Sequence, residues 1–271
     1  MKIIYRLKGA FSPRNRALVS EMVRTDFKLR YQGSVLGYLW SLLRPLFLFG
    51  VLFVVFTKVI KVSGNIPHYP AYLLLGIVLW TYFVEATMNG MNSIVGRGDL
   101  IRKVSIPKYI IVGSTNVSAF VNFSINMIVV AIFMIISKTP LQATIVLVPF
   151  LIFELMIFSL AISFLLASYY VKFRDFSHIW EVILQILFYA TPIIYTLNFP
   201  PLRLAKIMSI SPLTQIFQDV RSLMITSETL TTREVFGSWI GFAIPFGIVI
   251  LTAIFSVIHF SRVSKYFAEE L

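Results

Sequence analysis

Six long apolar stretches, separated by basic connectors, constrain this chain more than any other feature. A lipid bilayer offers the backbone no water. Every N–H and C=O must then be paired within the chain, and runs of about 20 apolar residues fold as spanning helices. The stretches predict membrane helices over residues 37–60, 69–96, 107–137, 141–171, 177–197 and 235–261. The third run carries no charge, and the second and fourth each carry one acid, Glu85 and Glu154. The first is short between Arg44 and Lys58. It reaches across about 30 Å of hydrocarbon only by extending back through 37–43 or by snorkelling its flanking cations. With 58% hydrophobic and 13% charged residues, a soluble globular domain is excluded. The expected fold is an all-α polytopic membrane protein, one transmembrane domain over 1–271.

Most of the 24 Lys and Arg residues fall before the first run, between the second and third, between the fourth and fifth, and in the tail. Basic connectors stay on the cytoplasmic side, so both termini are expected there. That bias accounts for most of the net charge of +12, and no nucleic-acid partner is expected. No apolar core precedes the first span, so no cleavable signal is expected. The chain has no cysteine, hence no disulfide or thiol chemistry.

Three connectors are unusual. Residues 14–31 place Leu18, Val19, Met22, Val23 and Phe27 at helical spacing, with Arg16, Glu21, Arg24, Asp26 and Lys28 mostly between them. Such a segment lies in the membrane interface, as a plain anchor or as a gate. Gly33 and Gly37 break it before the first span. Residues 97–107 read as a short charged helix capped by Asp99, with Pro107 ending it or starting the next span and Leu100, Ile101 and Val104 available to a partner. Residues 198–234 stay apolar despite several prolines, which predicts short re-entrant helices between the fifth and sixth spans. Such helices are tolerated where protein covers them or they line a cavity.

Catalytic signatures are missing. There is no G-x-x-x-x-G-K-[ST] phosphate loop, and the three histidines show no metal spacing. Glu85 and Glu154 are candidates for proton-coupled transport or for helix–helix hydrogen bonding, the role also open to Asn116, Asn122 and Asn126. The chain carries 25 Phe, 12 Tyr and 4 Trp. Belt positions explain many of them, but rings of this kind also stack on the apolar faces of sugars.

The stretch Phe27-Lys28-Leu29-Arg30-Tyr31-Gln32-Gly33-Ser34-Val35-Leu36-Gly37-Tyr38-Leu39-Trp40-Ser41-Leu42-Leu43-Arg44-Pro45-Leu46 resembles the opening signature of ABC-2-type permeases that export O-antigen, capsule or teichoic acid. Residues 97–108 resemble the coupling segment of that family. Thr191-Pro192-Ile193-Ile194-Tyr195, Ser211-Pro212-Leu213-Thr214 and Val220-Arg221 resemble its outer re-entrant region. Gly64-Asn65-Ile66-Pro67-His68-Tyr69-Pro70 is similar to exporters of rhamnose-rich wall polysaccharides.

The resemblance implies a homodimer in a bacterial plasma membrane, paired with two copies of a separate ABC ATPase. ATP and Mg would sit on that ATPase, and this chain by itself would bind no cofactor and be no enzyme. The cargo implied is a polysaccharide on an undecaprenyl-pyrophosphate-type lipid. Within that frame Arg30 and Arg44 are candidates for the lipid headgroup, since a guanidinium pairs with phosphate in a planar fork. Phe49, Phe53, Phe56, Tyr189 and Tyr195 are candidates for lining the polymer path. Arg97, Asp99, Leu100, Ile101 and Arg102 are the candidate contact with the ATPase. The competing readings are an ABC-2 exporter of a lipid or drug, a proton-coupled secondary transporter and a membrane glycosyltransferase.

Overall fold

The computed structural model describes residues 13–34, 36–60, 66–104, 106–140 and 142–270. Among them there is no strand. Helix α1 spans Pro13–Tyr31, α2 Leu39–Val54, α3 Tyr69–Asn92, α4 Gly98–Lys103, α5 Lys108–Ile136, α6 Val148–Lys172 and α7 Phe176–Ala190. The chain continues through α8 (Leu202–Met208), α9 (Pro212–Met224), α10 (Thr232–Phe236), α11 (Ile240–Val263) and α12 (Phe267–Glu270). Helix α2 runs on through a wide π turn, Val55–Val59.

Five helical stretches are long and apolar enough to cross a membrane: Leu39–Val59, Tyr69–Asn92, Lys108–Ile136, Ala143–Lys172 and Ile240–Val263. The chain is thus a multi-pass membrane protein. The sixth expected span is shorter. Helix α7 has 15 residues and stops at Ala190. Pro192 explains the stop, because it has no N–H to give and disfavours a helical residue before it.

Helix α3 is the axis of the bundle. Its flanks are covered by α5 and α6, and Ala71, Tyr72, Leu73, Leu75, Ile77 and Leu79 have no exposed surface. Polar side chains tie the spans across this core, as expected where helices gain little from hydrophobic contact with each other. Asn116 of α5 donates to the Ser163 hydroxyl of α6 at 3.1 Å, and that hydroxyl donates to the Ala86 carbonyl of α3 at 3.0 Å. Trp180 of α7 donates to Thr87 of α3 at 3.2 Å. Gly33 and Gly37 have φ of +77° and +48°, left-handed backbone that ends α1 and turns the chain into α2.

Pro45 sits inside α2 and is buried. Lacking an N–H, it leaves the Ser41 carbonyl one turn earlier without its helical donor. Asn126 of α5 supplies one, donating from Nδ2 at 3.3 Å. A polar residue on a neighbouring span thus repairs the ladder that the proline opens.

Candidate functional site

At one end of the bundle, which holds most of the basic connectors, α4 follows a 3-10 turn at Val95–Arg97. The helix is only six residues long, so it has one inward and one outward face. Ile101 takes the inward face. It is 8% exposed and packs with Ile94, Ile111, Val171, Phe260 and Phe267. This corrects the expectation that Ile101 is open to a partner. Leu100, at 37%, and Val104, at 48%, are the exposed apolar residues. Asp99 is not the cap either. Arg97 holds the cap position without a side-chain capping bond, and Asp99 lies in the first turn, where its charge suits the positive end of the helix. Asp99, Leu100, Arg102 and Arg174 line an open notch of about 400 Å³.

Arg97, at the edge of the same notch, reaches toward α1. Its guanidinium forms an ion pair with Asp26, both side chains about one-fifth exposed. The second Asp26 oxygen accepts from the Ser118 hydroxyl of α5 at 3.4 Å, and Asn15 of α1 donates to the Tyr109 hydroxyl at 3.4 Å. Asp26 reads in the sequence as one of the solvated charges of an amphipathic helix. Met22, one turn earlier on the same face, packs on the Ile94–Ile101 cluster and carries Asp26 inward with it. That i, i+4 relation was the available signal.

The candidate headgroup residues lie apart. Arg44 is exposed on α2 and lines a groove between α2, α3 and α5. Arg30 belongs to α1, and its side chain lies outside the described residues. Of the candidate path residues, Phe49 is used up in packing. It is 8% exposed, stacked on Phe53 at 5.6 Å and edge-on to Phe133 at 5.4 Å. The face of α2 shared by Phe49, Phe53 and Phe56 is its packing face, with the latter two partly buried. Its uncovered face carries Phe47, Val51 and Val54. Tyr189 is exposed at the end of α7, and the half-buried Tyr195 donates its hydroxyl to the Tyr189 carbonyl at 2.7 Å.

Both intramembrane acids acquire a definite setting. Glu85 accepts from Asn122 Nδ2 at 2.7 Å. Glu154 is 3% exposed within α6, and neither of its oxygens has a hydrogen-bond partner among the described residues.

At the opposite end, α9 is inserted among the spans. Arg221 on it has no exposed surface. It donates to the Tyr72 carbonyl at 3.2 Å, to Pro192 at 2.6 Å and to Ile193 at 2.5 Å. Its guanidinium lies 3.7 Å from the centroid of the Tyr72 ring. The carbonyls of Pro192 and Ile193 lie just past the end of α7, where no helical N–H follows to meet them. Gly76, one turn after Tyr72, makes the space, since a Cβ there would strike the guanidinium. The Gln218 amide adds a bond to the Pro192 carbonyl at 3.3 Å. Sequence reasoning named Arg221 only within a stretch that resembles the outer re-entrant region of a family, and gave it no partner.

The described residues thus form a helical bundle with five candidate membrane spans, a buried wedge at one end and, at the other, a short helix whose leading turn is tied to α1 by the Arg97–Asp26 pair. The chain belongs to the ABC-2 type transporter family, whose model matches residues 17–225. It is similar to the O-antigen export system permease protein RfbA of Myxococcus xanthus, 33% identical over 184 residues, which cover 68% of this chain and 70% of that one. Two permeases of the same name from Klebsiella pneumoniae are each 26% identical, one over 77% of this chain and 80% of its own length, the other over 83% and 85%.

Proposed function

We propose that the chain is the permease subunit of an ATP-driven exporter that moves lipid-linked cell-surface polysaccharide from the cytoplasmic to the outer face of a bacterial plasma membrane. The observation that carries this is the likeness to three O-antigen export permeases over two thirds or more of each chain. The chain works as a homodimer with two copies of a separate ABC ATPase, which binds ATP and Mg. In support, α2 leaves Phe47, Val51 and Val54 uncovered by its own chain. The basic end and both termini face the cytoplasm. There the notch at Asp99, Leu100 and Arg102 receives the ATPase, and the Arg97–Asp26 pair passes its motion to α1, the gate helix. Helix α7 with the residues after it completes a sixth crossing, and α8 to α10 re-enter the outer leaflet. Arg44, with Arg30, meets the lipid pyrophosphate. Polymer then slides on partly open rings such as Phe53, Phe56, Tyr189 and Tyr195, because many weak contacts let a chain move where a few tight ones would hold it. The rhamnose-type subclass rests on 64–70, of which Gly64 and Asn65 lie outside the described residues.

The test is reconstitution of the chain with its partner ATPase in proteoliposomes. Lipid-linked polysaccharide should raise ATP hydrolysis, and apolar drugs and phospholipids should not. Stimulation by drugs or phospholipids alone, or transport driven by a pH gradient without ATP, would overturn the reading.

A further inference from the structure

The groove between α2, α3 and α5 has a chemistry that the packing of the bundle does not require. It measures about 680 Å³, within the roughly 300–1,000 Å³ usual for small-ligand sites. Trp40 and Trp80 contribute to its walls, the first 42% exposed and the second 7%. Glu85, Asn89 and Asn122 line it too, with Arg44 exposed on α2. Asn122 is 2% exposed. Its Nδ2 is committed to Glu85, while its Oδ1 has no hydrogen-bond partner among the described residues. A buried acceptor left bare costs free energy that a ligand hydroxyl would recover.

We infer that this groove is a sugar-phosphate site that receives the lipid-proximal sugar of the cargo, with its phosphate at Arg44 and its hydroxyls at the Glu85–Asn122 pair. The inference rests on the export reading and adds the residues that read the sugar itself. A pyranose has an apolar C–H face and a rim of O–H donors. It therefore matches an open tryptophan face beside a carboxylate and a carboxamide oxygen. An acyl chain or a flat apolar drug would leave Asn122 Oδ1 unpaired. A bare pyrophosphate would be repelled by Glu85 and drawn to Arg44. The two charges thus orient a glycosyl phosphate in one direction. Asn89, one turn from Glu85 on α3, is positioned to contact a substituent on the ring.

The test uses the full chain with its partner ATPase in nanodiscs, without ATP, and isothermal titration calorimetry. Two probes are compared: a short prenyl pyrophosphate, and the same prenyl pyrophosphate carrying one hexose. The glycosylated probe should bind roughly tenfold more tightly or better. Trp40→Ala should remove that advantage and leave binding of prenyl pyrophosphate as it was, while Glu85→Gln should remove the advantage and bind prenyl pyrophosphate at least as tightly, because the repelling charge is gone; retained prenyl pyrophosphate binding also reports that both variants are folded. Arg44→Ala should weaken both probes. If the sugar adds no affinity, or if Trp40→Ala and Glu85→Gln keep the advantage of the glycosylated probe over prenyl pyrophosphate, the site assignment falls. Loss of both probes in those two variants would overturn it as well, since the groove would then be structural. Export itself is read separately, from polymer-stimulated ATP hydrolysis by the unmodified complex, so either idea can fail without the other.

Discussion

Two arginines at opposite ends of the bundle are held in opposite ways. Arg97 faces one carboxylate, Asp26, across a contact that stays about one-fifth exposed. Arg221 has no exposed surface and no carboxylate within salt-bridge distance among the described residues; it is held by three carbonyls and the face of Tyr72. An ion pair near water is worth about 1 kcal/mol or less, so thermal motion and a docked partner can break and remake it. A buried guanidinium whose donors close the end of a helix is costly to move, because every carbonyl it leaves is stranded away from water. The comparison teaches where this molecule can bend. In the proposed mechanism the basic end therefore serves as the joint and α9 as the fixed wedge.

Replacing Arg221 should have the largest effect. Arg221→Ala strands the Tyr72, Pro192 and Ile193 carbonyls and should cost about 3–5 kcal/mol, seen as a large drop in thermal unfolding midpoint in detergent. Arg221→Lys keeps the charge but not the planar fork, and should recover less than half of that loss. Unchanged unfolding in both variants would remove the wedge from the comparison. Gly76→Ala comes next. The added methyl meets the guanidinium and should cost about 1–3 kcal/mol, but much less in an Arg221→Ala background. Equal costs in the two backgrounds would show that Gly76 serves something other than Arg221.

At the joint the expected stability changes are smaller. Asp26→Ala and Arg97→Ala should each cost about 1 kcal/mol or less, while ATP-driven export falls several-fold at equal membrane abundance. Leu100→Ser should shift stability by no more than about 0.5 kcal/mol, because Leu100 is exposed on α4. Its effect belongs in ATPase association, measured by co-purification. Normal association would move the docking surface away from the notch.

Much of the joint could be read in the sequence. Apolar run length marks the spans, and the pair Gly33 and Gly37 marks the break after α1, where both residues take positive φ. The short helix after α3 could be read as well. What could not be read was which way its residues point. Over six residues, helical periodicity leaves open which of Leu100 and Ile101 faces the core, and only the positions of α5, α6 and α11 decide it. Asp26 was hidden for a related reason: its partner Arg97 is distant in sequence. The wedge was harder still. Arg221 needs an aromatic face from Tyr72, space from Gly76 and bare carbonyls after Ala190, and the two segments that supply them meet α9 only in the fold. Pro192 was the one local sign, since a proline just past an apolar run implies unpaired carbonyls there. In the groove, Glu85 and Asn122 each read as isolated polar residues, and their pairing depends on the register of α3 against α5.

The central claim, that the Arg97–Asp26 contact carries ATPase motion to the gate helix of a polysaccharide exporter, is tested most directly by charge exchange in proteoliposomes with the partner ATPase. The quantity to measure is ATP-dependent appearance of lipid-linked polysaccharide on the far side of the membrane. Asp26→Arg and Arg97→Asp should each reduce it strongly, and the double variant Asp26→Arg/Arg97→Asp should restore a large part of it. Export by either single variant at the rate of the unmodified protein, or a double variant no better than the singles, would contradict the account.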